Sequence, residues 1–402
     1  MAALVLLLLG TTLRAQDVAG PDAPARPRPG EIEAWVAQLG DDDSAVRRSA
    51  QDRLAKAGRD AVPALRQALS SPDPEARSRA KALLDLLESE FDPVRTQASA
   101  GLFRFSPDGS LLCLYPEAGR LELQDARTGK AAWSAPTRAK SLPSPIPAFS
   151  ADGKRVYAVL ESYRFGVFDA SQGNVLEEFS MKTLDGAVSG RAMSMTPLAG
   201  GTILYSGPED RSGVYVLEKG TFKVLAHPVV ATPSGTAILG LGHGDPKRAA
   251  ELQWIDSKSW KVKTIGSIEA TEAFRAFVAP RGLSRLFLAT AREVLAHDPA
   301  TGALLQRRTV GADDAQISCL AVSPDGGWLA VGLSDGTLQI LRAQGLEAAQ
   351  SITLVEKPLR PNRDNGIADR RAGIPIHAEL TENAALVAVQ VGSTELKLYR
   401  RR

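Results

Sequence analysis

The chain has 402 residues, 44% of them hydrophobic and 23% charged, with a formal net charge of +2. That apolar content supports a large packed core and excludes a disordered chain, and the balanced charge excludes a general polyanion binder, so no nucleic-acid partner is expected. Two cysteines, Cys113 and Cys319, exclude a disulfide framework or a four-thiolate zinc site, and the four scattered histidines, His227, His243, His297 and His377, leave little for metal or acid–base chemistry.

Residues 2–9 read AALVLLLL. The run is far shorter than the roughly 20 residues that span a bilayer, and it matches the apolar core of a secretory signal peptide. Residues 1–16 are therefore expected to be a signal peptide, cut near Ala15, and the protein to be exported, to a periplasm or to the cell exterior. No other segment is long and apolar enough to be a transmembrane segment. Residues 17–30 carry Pro21, Pro24, Pro27 and Pro29. Fixed φ angles and missing donors predict an extended linker there.

Between residues 31 and 90 the sequence matches itself at a shift of 30. Ile32 falls on Val62, Trp35 on Leu65, Leu39 on Leu69, Asp43 on Asp73, Arg47 on Arg77, Ala50 on Ala80 and Leu54 on Leu84. Apolar positions recur at three and four, the period of one helix face. Gly40 and Gly58 mark helix ends, and Asp73-Pro74 is an N-cap followed by proline at the first helical position. Each unit reads as two short antiparallel helices. The stretches AVRRSAQDRL, VPALRQAL and EARSRAKALL resemble HEAT repeats, over about 60 residues. Two units are fewer than a solenoid normally needs, which implies packing against the rest of the chain or a partner. The Asp41–Asp43 run lacks the alternating ligands of a calcium loop and reads as an inter-helix turn.

From residue 91 to the end, short apolar runs alternate with turn clusters. GLFRFSPDGSLLCLY (101–115) returns as CLAVSPDGGWLAVGLSDGTLQIL (319–341), with a weaker copy in PAFSADGKRVYAVL (147–160). Turn starts fall at 106, 150, 196, 232, 279, 323 and 381, mostly 44–47 residues apart, with one step of 36 and one of 58. A second series runs in phase: DARTG (125–129), DASQG (169–173), DSKSW (256–260) and DPATG (298–302). Aspartate opens these turns by bonding the amides that follow, and glycine closes most of them at positive φ. Two phased hairpin signals per unit predict four-stranded blades of a β-propeller, seven in number. The last unit has strands at about 374–380, 385–391 and 395–401, and residues 91–100 are expected to supply its missing outer strand.

The units resemble WD-repeat blades, through SPDG after the first strand and aspartate at the end of the third, over about 300 residues. The Gly-His pair of that family is absent, and Gln124-Asp125, Phe168-Asp169, Ile255-Asp256 and His297-Asp298 stand where it has Trp-Asp. QDARTGKAAW (124–133) and HDPATGALLQ (297–306) are also similar to blades of quinone-binding propellers. That resemblance implies adjacent cysteines or a calcium site, which the sequence lacks. The fold expected is thus mainly β: a seven-bladed β-propeller (91–402) preceded by a small HEAT-like α-helical module (31–90).

Catalytic signals are few. GLGHGD (240–245) lacks the Lys-Ser ending and strand-to-helix context of a phosphate loop. There is no G-x-S-x-G elbow, and no histidine has an evident acid partner in sequence. Cys113 and Cys319 sit in apolar strand patterns and read as buried small hydrophobes. No catalytic, metal or cofactor residue is assigned. The long step holds KPLRPNRDNGIADRRAG (357–373). Its Lys357, Arg360, Arg363, Arg370 and Arg371 are the candidate partner-binding residues, on a face expected to carry also Arg164, Arg211, Lys247, Arg248 and Arg292. Arginine forks there suit an acidic protein partner. The expected function is that of an exported, non-enzymatic protein–protein interaction scaffold. The alternatives are a propeller enzyme, lactonase-like or quinone-dependent, and a glycan or wall-polymer binder; the 5% aromatic content disfavours the last.

Overall fold

The computed structural model describes residue 27 and residues 30–402, except 88, 99–101, 118, 138–145, 162–163, 181–193, 199–201, 207–210, 217–220, 227–228, 232–236, 243–249, 257–258, 260, 269–273, 313, 356–373 and 393. The expected signal peptide and most of the expected linker lie outside the described residues. The chain divides into two compact units, one ending at Ser89 and one spanning Glu90–Arg402.

The first unit has four α-helices, α1 (Glu31–Ala37), α2 (Ser44–Ala57), α3 (Val62–Ala68) and α4 (Pro74–Leu87). The 30-residue repeat extends to single hydrogen bonds. Asp43 accepts from the Ala45 N–H at 2.8 Å and Asp73 from the Glu75 N–H at 3.0 Å, each capping the second helix of its pair. Arg47 Nη1 donates to the carbonyls of Asp41 and Asp42 at 2.6 and 2.9 Å. Arg77 Nη1 donates to those of Ser71 and Pro72 at 2.6 and 2.9 Å. In both repeats an arginine thus satisfies turn carbonyls that no helix would pair. Leu39, Leu54, Leu65 and Leu84 pack around Ala50 and Ala80. One pair of equivalents diverges. Leu39 is fully buried, whereas Leu69 is 42% exposed, because no third repeat follows to cover it. Gly40 is needed for close approach, since a Cβ there would lie 1.8 Å from an Asp73 carboxylate oxygen.

The second unit contains seven four-stranded antiparallel sheets among the described residues. The first six lie within residues 104–136, 148–180, 194–226, 229–268, 276–309 and 317–353, and in each the strands follow chain order. The seventh is built from Pro375–Leu380, Leu386–Val391 and Glu395–Arg401, with Phe91–Ala98 as its fourth strand. Phe91 stands opposite Arg401 and Ala98 opposite Glu395, with a register shift beside Pro93, which has no N–H to give.

The first strands of successive sheets lie beside one another: one by two, two by three, four by five, five by six, six by seven, and seven by one. Neighbouring sheets therefore cover both faces of the strands between them. Trp328–Leu333 and Leu386–Val391 are buried at every position, the first as an uninterrupted apolar run and the second with Gln390 as its one polar residue. The apolar layers are shared between sheets. Phe103, just before the first sheet, and Leu112 within it pack with Ala388 and Leu398 of the seventh. Trp328 and Ala330 of the sixth pack with Val387, Val389 and Phe91. Cys113 and Cys319 are buried, free thiols in the first and sixth sheets, and burial raises both pKa values, that of Cys319 to about 12.

Candidate functional site

The sheet unit presents two ends. At one lie the turns between first and second strands and those between third and fourth; at the other lie the remaining loops. The first end is built almost entirely from short-range polar bonds. Ser106 Oγ donates to Asp108 at 2.6 Å and Ser150 Oγ to Asp152 at 2.5 Å, and these hydroxyls hold both carboxyls below their ordinary range. In the second series Asp125 accepts from the Thr128 N–H and hydroxyl at 2.6 and 2.7 Å, and Asp256 accepts from the Ser259 N–H at 2.6 Å. The aspartates are therefore committed to their own turns. The residue before the aspartate can close the same turn. His297 Nδ1 lies 2.9 Å from the Gly302 carbonyl, and burial pushes its pKa down. Gln124, with its amide turned to suit its neighbours, donates to the Gly129 carbonyl at 3.2 Å.

Longer bonds then lock the turns to one another. Arg281, after the fifth sheet's first strand, donates from Nη2 to Pro107 O in the first sheet's turn at 2.7 Å. Its backbone N–H bonds Pro324 O in the sixth sheet's turn at 2.9 Å. The Asn383 N–H of the seventh sheet reaches Asp325 of the sixth at 3.2 Å. Gly109, at φ +73°, lets the first turn sit against Thr381: a Cβ there would be 2.8 Å from Thr381 Cγ2. Turns from four sheets are joined in this way.

The free edges of the first strands carry a second set of links, each from one sheet to the next. Arg275 Nη1 donates to Ile317 O at 3.4 Å, and Ser318 Oγ to Pro375 O at 2.6 Å. His377 Nε2 donates to Phe103 O at 3.2 Å, while Glu379 accepts from the Phe105 N–H at 2.9 Å. Side chains thus satisfy backbone groups that an unpaired edge leaves open. The last link is also the main charged cluster described on these edges. Glu379 Oε1 is 3.0 Å from Arg104 Nη1 and 3.4 Å from His377 Nε2. Burial pushes the Glu379 pKa up, but Arg104, then His377 and the Phe105 N–H, outweigh it, so the carboxyl lies below its ordinary value. Sequence reading found no acid for any histidine. The fold corrects this: His377 and Glu379 alternate on one strand and share its side toward the first sheet. Their two-residue spacing on a predicted strand was the available signal. Their targets, 274 residues upstream, gave none.

At the opposite end, Arg120 pairs with Glu117 at 3.3 Å and Glu122 at 2.8 Å, and Arg164 pairs with Glu178. Arg292 adjoins Glu293 at the start of strand Glu293–His297. Arg120 and Arg164 are thus each accompanied by carboxylates. Arg211 heads strand Arg211–Val216. Lys247, Arg248 and the candidate partner-binding residues Lys357, Arg360, Arg363, Arg370 and Arg371 lie outside the described residues, as do residues 243–245 of GLGHGD. Among the described residues no group of three or more His, Cys, Asp or Glu side chains could hold a metal ion, and no helix is long and apolar enough to cross a membrane.

Solved structures share this architecture. The β-propeller domain of Cps50 (Swd1) from Myceliophteria thermophila aligns with a TM-score of 0.56 at 14% identity, over 77% of this chain and 98% of that one. A chain of the mitotic checkpoint complex aligns with a TM-score of 0.57 at 14% identity, over 77% of this chain and 91% of that one. The sheet unit has a β-propeller fold. No family model matches the sequence, and no curated protein does.

Proposed function

We propose that this protein is a non-enzymatic protein–protein interaction scaffold, with a propeller of seven blades closed into a ring by strand Phe91–Ala98. The observation that carries this reading is the turn end, where bonds such as Arg281 to Pro107 O join four sheets and hold the array rigid. A rigid array lets loops at the other end present side chains without ordering them at each encounter. The Arg104–Glu379–His377 cluster supports the non-enzymatic reading, because its groups are engaged in holding two edges together. The helical pair is read as HEAT-like, offering a second protein-binding surface, and the chain as exported through a signal peptide at residues 1–16. The partner is an acidic protein recognised by Lys357, Arg360, Arg363, Arg370 and Arg371 on the connection to the last blade.

The test is capture of partners on immobilised full-length protein, compared with a variant carrying glutamate at Arg360, Arg363, Arg370 and Arg371. Loss of capture supports the assignment. Retention of the same partner by the charge-reversed variant removes the basic connection from the account. For export, mass spectrometry of the protein isolated from its native cells should place the mature N-terminus near Gln16; recovery of Met1 in the mature protein would overturn it.

A further inference from the structure

Each sheet ends in an outer strand with one unpaired edge, and such edges invite strand addition unless they are blunted. The edges here differ. The seventh carries Pro93 and a register shift. The first ends in Pro136 and turns Trp133 away, its Nε1–H bonded to Ala170 O of the second sheet at 2.9 Å. The fourth contains Gly266, whose backbone abuts Thr301 and Gly302 of the fifth sheet. In the sixth, Gln350 is engaged with Phe91 and Glu90. Three outer strands are six residues long and contain neither proline nor glycine: Thr221–Ala226 (TFKVLA) in the third sheet, Val175–Ser180 (VLEEFS) in the second and Leu304–Thr309 (LLQRRT) in the fifth.

Six large hydrophobic side chains are exposed among the described residues, and four of them lie on the outer strands of the second and fifth sheets: Val175, Leu176, Leu304 and Leu305. Each apolar pair is followed by charge, of opposite sign on the two strands. Glu177 and Glu178 follow on one, Arg307 and Arg308 on the other; Glu178 pairs with Arg164 and Arg308 donates to Leu346 O, whereas Glu177 and Arg307 are both exposed. Laid antiparallel and aligned end to end, the strands place Glu177 opposite Arg307 and Phe179 opposite Leu305. Cross-strand pairs of these kinds stabilise a sheet.

We propose that copies of this chain associate edge to edge, the second sheet's outer strand in one copy adding to the fifth sheet's outer strand in the next. Two acidic edges repel, as do two basic ones, so the contact is head to tail. Each copy keeps one edge of each kind, and growth is open-ended rather than stopping at a closed dimer. The proposal rests on the sheet topology and not on the partner-binding reading above, so either can fail alone.

The experiment is sedimentation velocity on purified full-length protein over a concentration series at low and high salt. Wild type should rise in weight-average mass with concentration, past the dimer, and salt should weaken the association. Glu177→Arg and Arg307→Glu should each weaken it about fivefold or more. The double variant should recover it, and an equimolar mixture of the two single variants should associate where neither does alone. Both side chains are exposed, so circular dichroism should show each variant folded as wild type is. A wild-type mass that stays monomeric throughout, or single variants that associate as wild type does, or a double variant without recovery, overturns the proposal.

Discussion

The helical unit and the propeller are both repetitive, but they are held together over very different distances along the chain. In the helices, the decisive polar bonds span two to six residues: Asp43 to Ala45, Arg47 to Asp41, and their equivalents one repeat later. In the propeller, short bonds build each turn, but the sheets are registered on one another by bonds such as Gln350 to Phe91 and Glu379 to Phe105, 259 and 274 residues apart. Local bonds fix the shape of a repeat, whereas distant bonds fix how many repeats sit together and in what order. Damage to a helical repeat should therefore stay local. Damage at the seam between the seventh and first sheets should reach the whole propeller.

The largest effect is expected at Phe91. Its ring is 1% exposed and meets Trp328 edge to face at 5.6 Å. Phe91→Ala should cost the propeller about 3–5 kcal/mol. Hydrogen exchange should show lost protection across the sheets with α1–α4 unchanged; protection lost only near residue 91 would break the comparison.

Next comes Glu379. Glu379→Ala leaves Arg104 and the Phe105 N–H without their acceptor and should cost about 3 kcal/mol in urea unfolding. The pH dependence follows from the lowered carboxyl pKa. Such a group stabilises the fold above its unfolded pKa, and that contribution is lost as pH falls through the folded value, below the ordinary glutamate range of about 4.3. Wild type should lose stability on acidification more steeply than Glu379→Gln. Parallel acid limbs would mean that the carboxylate contributes nothing at the seam.

A smaller effect sharpens the helical side. Arg47→Ala and Arg77→Ala each remove two bonds to turn carbonyls and should each cost about 1–2 kcal/mol. Because the two sites are geometrically equivalent, the costs should agree, with propeller protection unaltered. The smallest change is at the caps, where Asp43→Ala or Asp73→Ala should cost about 1 kcal/mol, read from the same unfolding curves.

Much of this was legible beforehand because it is local. The aspartate–glycine turns, the helix caps and the 30-residue repeat depend on side chains bonding amides a few residues away, and those partners are adjacent in sequence. The strand expected from residues 91–100 was legible for another reason: the last unit had three strands, and an open edge needs a fourth. The Arg104–Glu379–His377 cluster was not legible, since nothing near residue 377 announces Phe103 or Phe105.

The sequence by itself determined the kinds of element, their periods and the chemistry of each turn, since backbone bonding over a few residues leaves little choice once proline, glycine and aspartate are placed. Only the tertiary structure decided which carboxylates meet which cations, why Leu39 is covered and Leu69 is not, and that Val175, Leu176, Leu304 and Leu305 end on sheet edges with their side chains exposed. Those outcomes depend on surfaces that come together after the chain has closed loops of hundreds of residues, and no local preference encodes which surface will arrive.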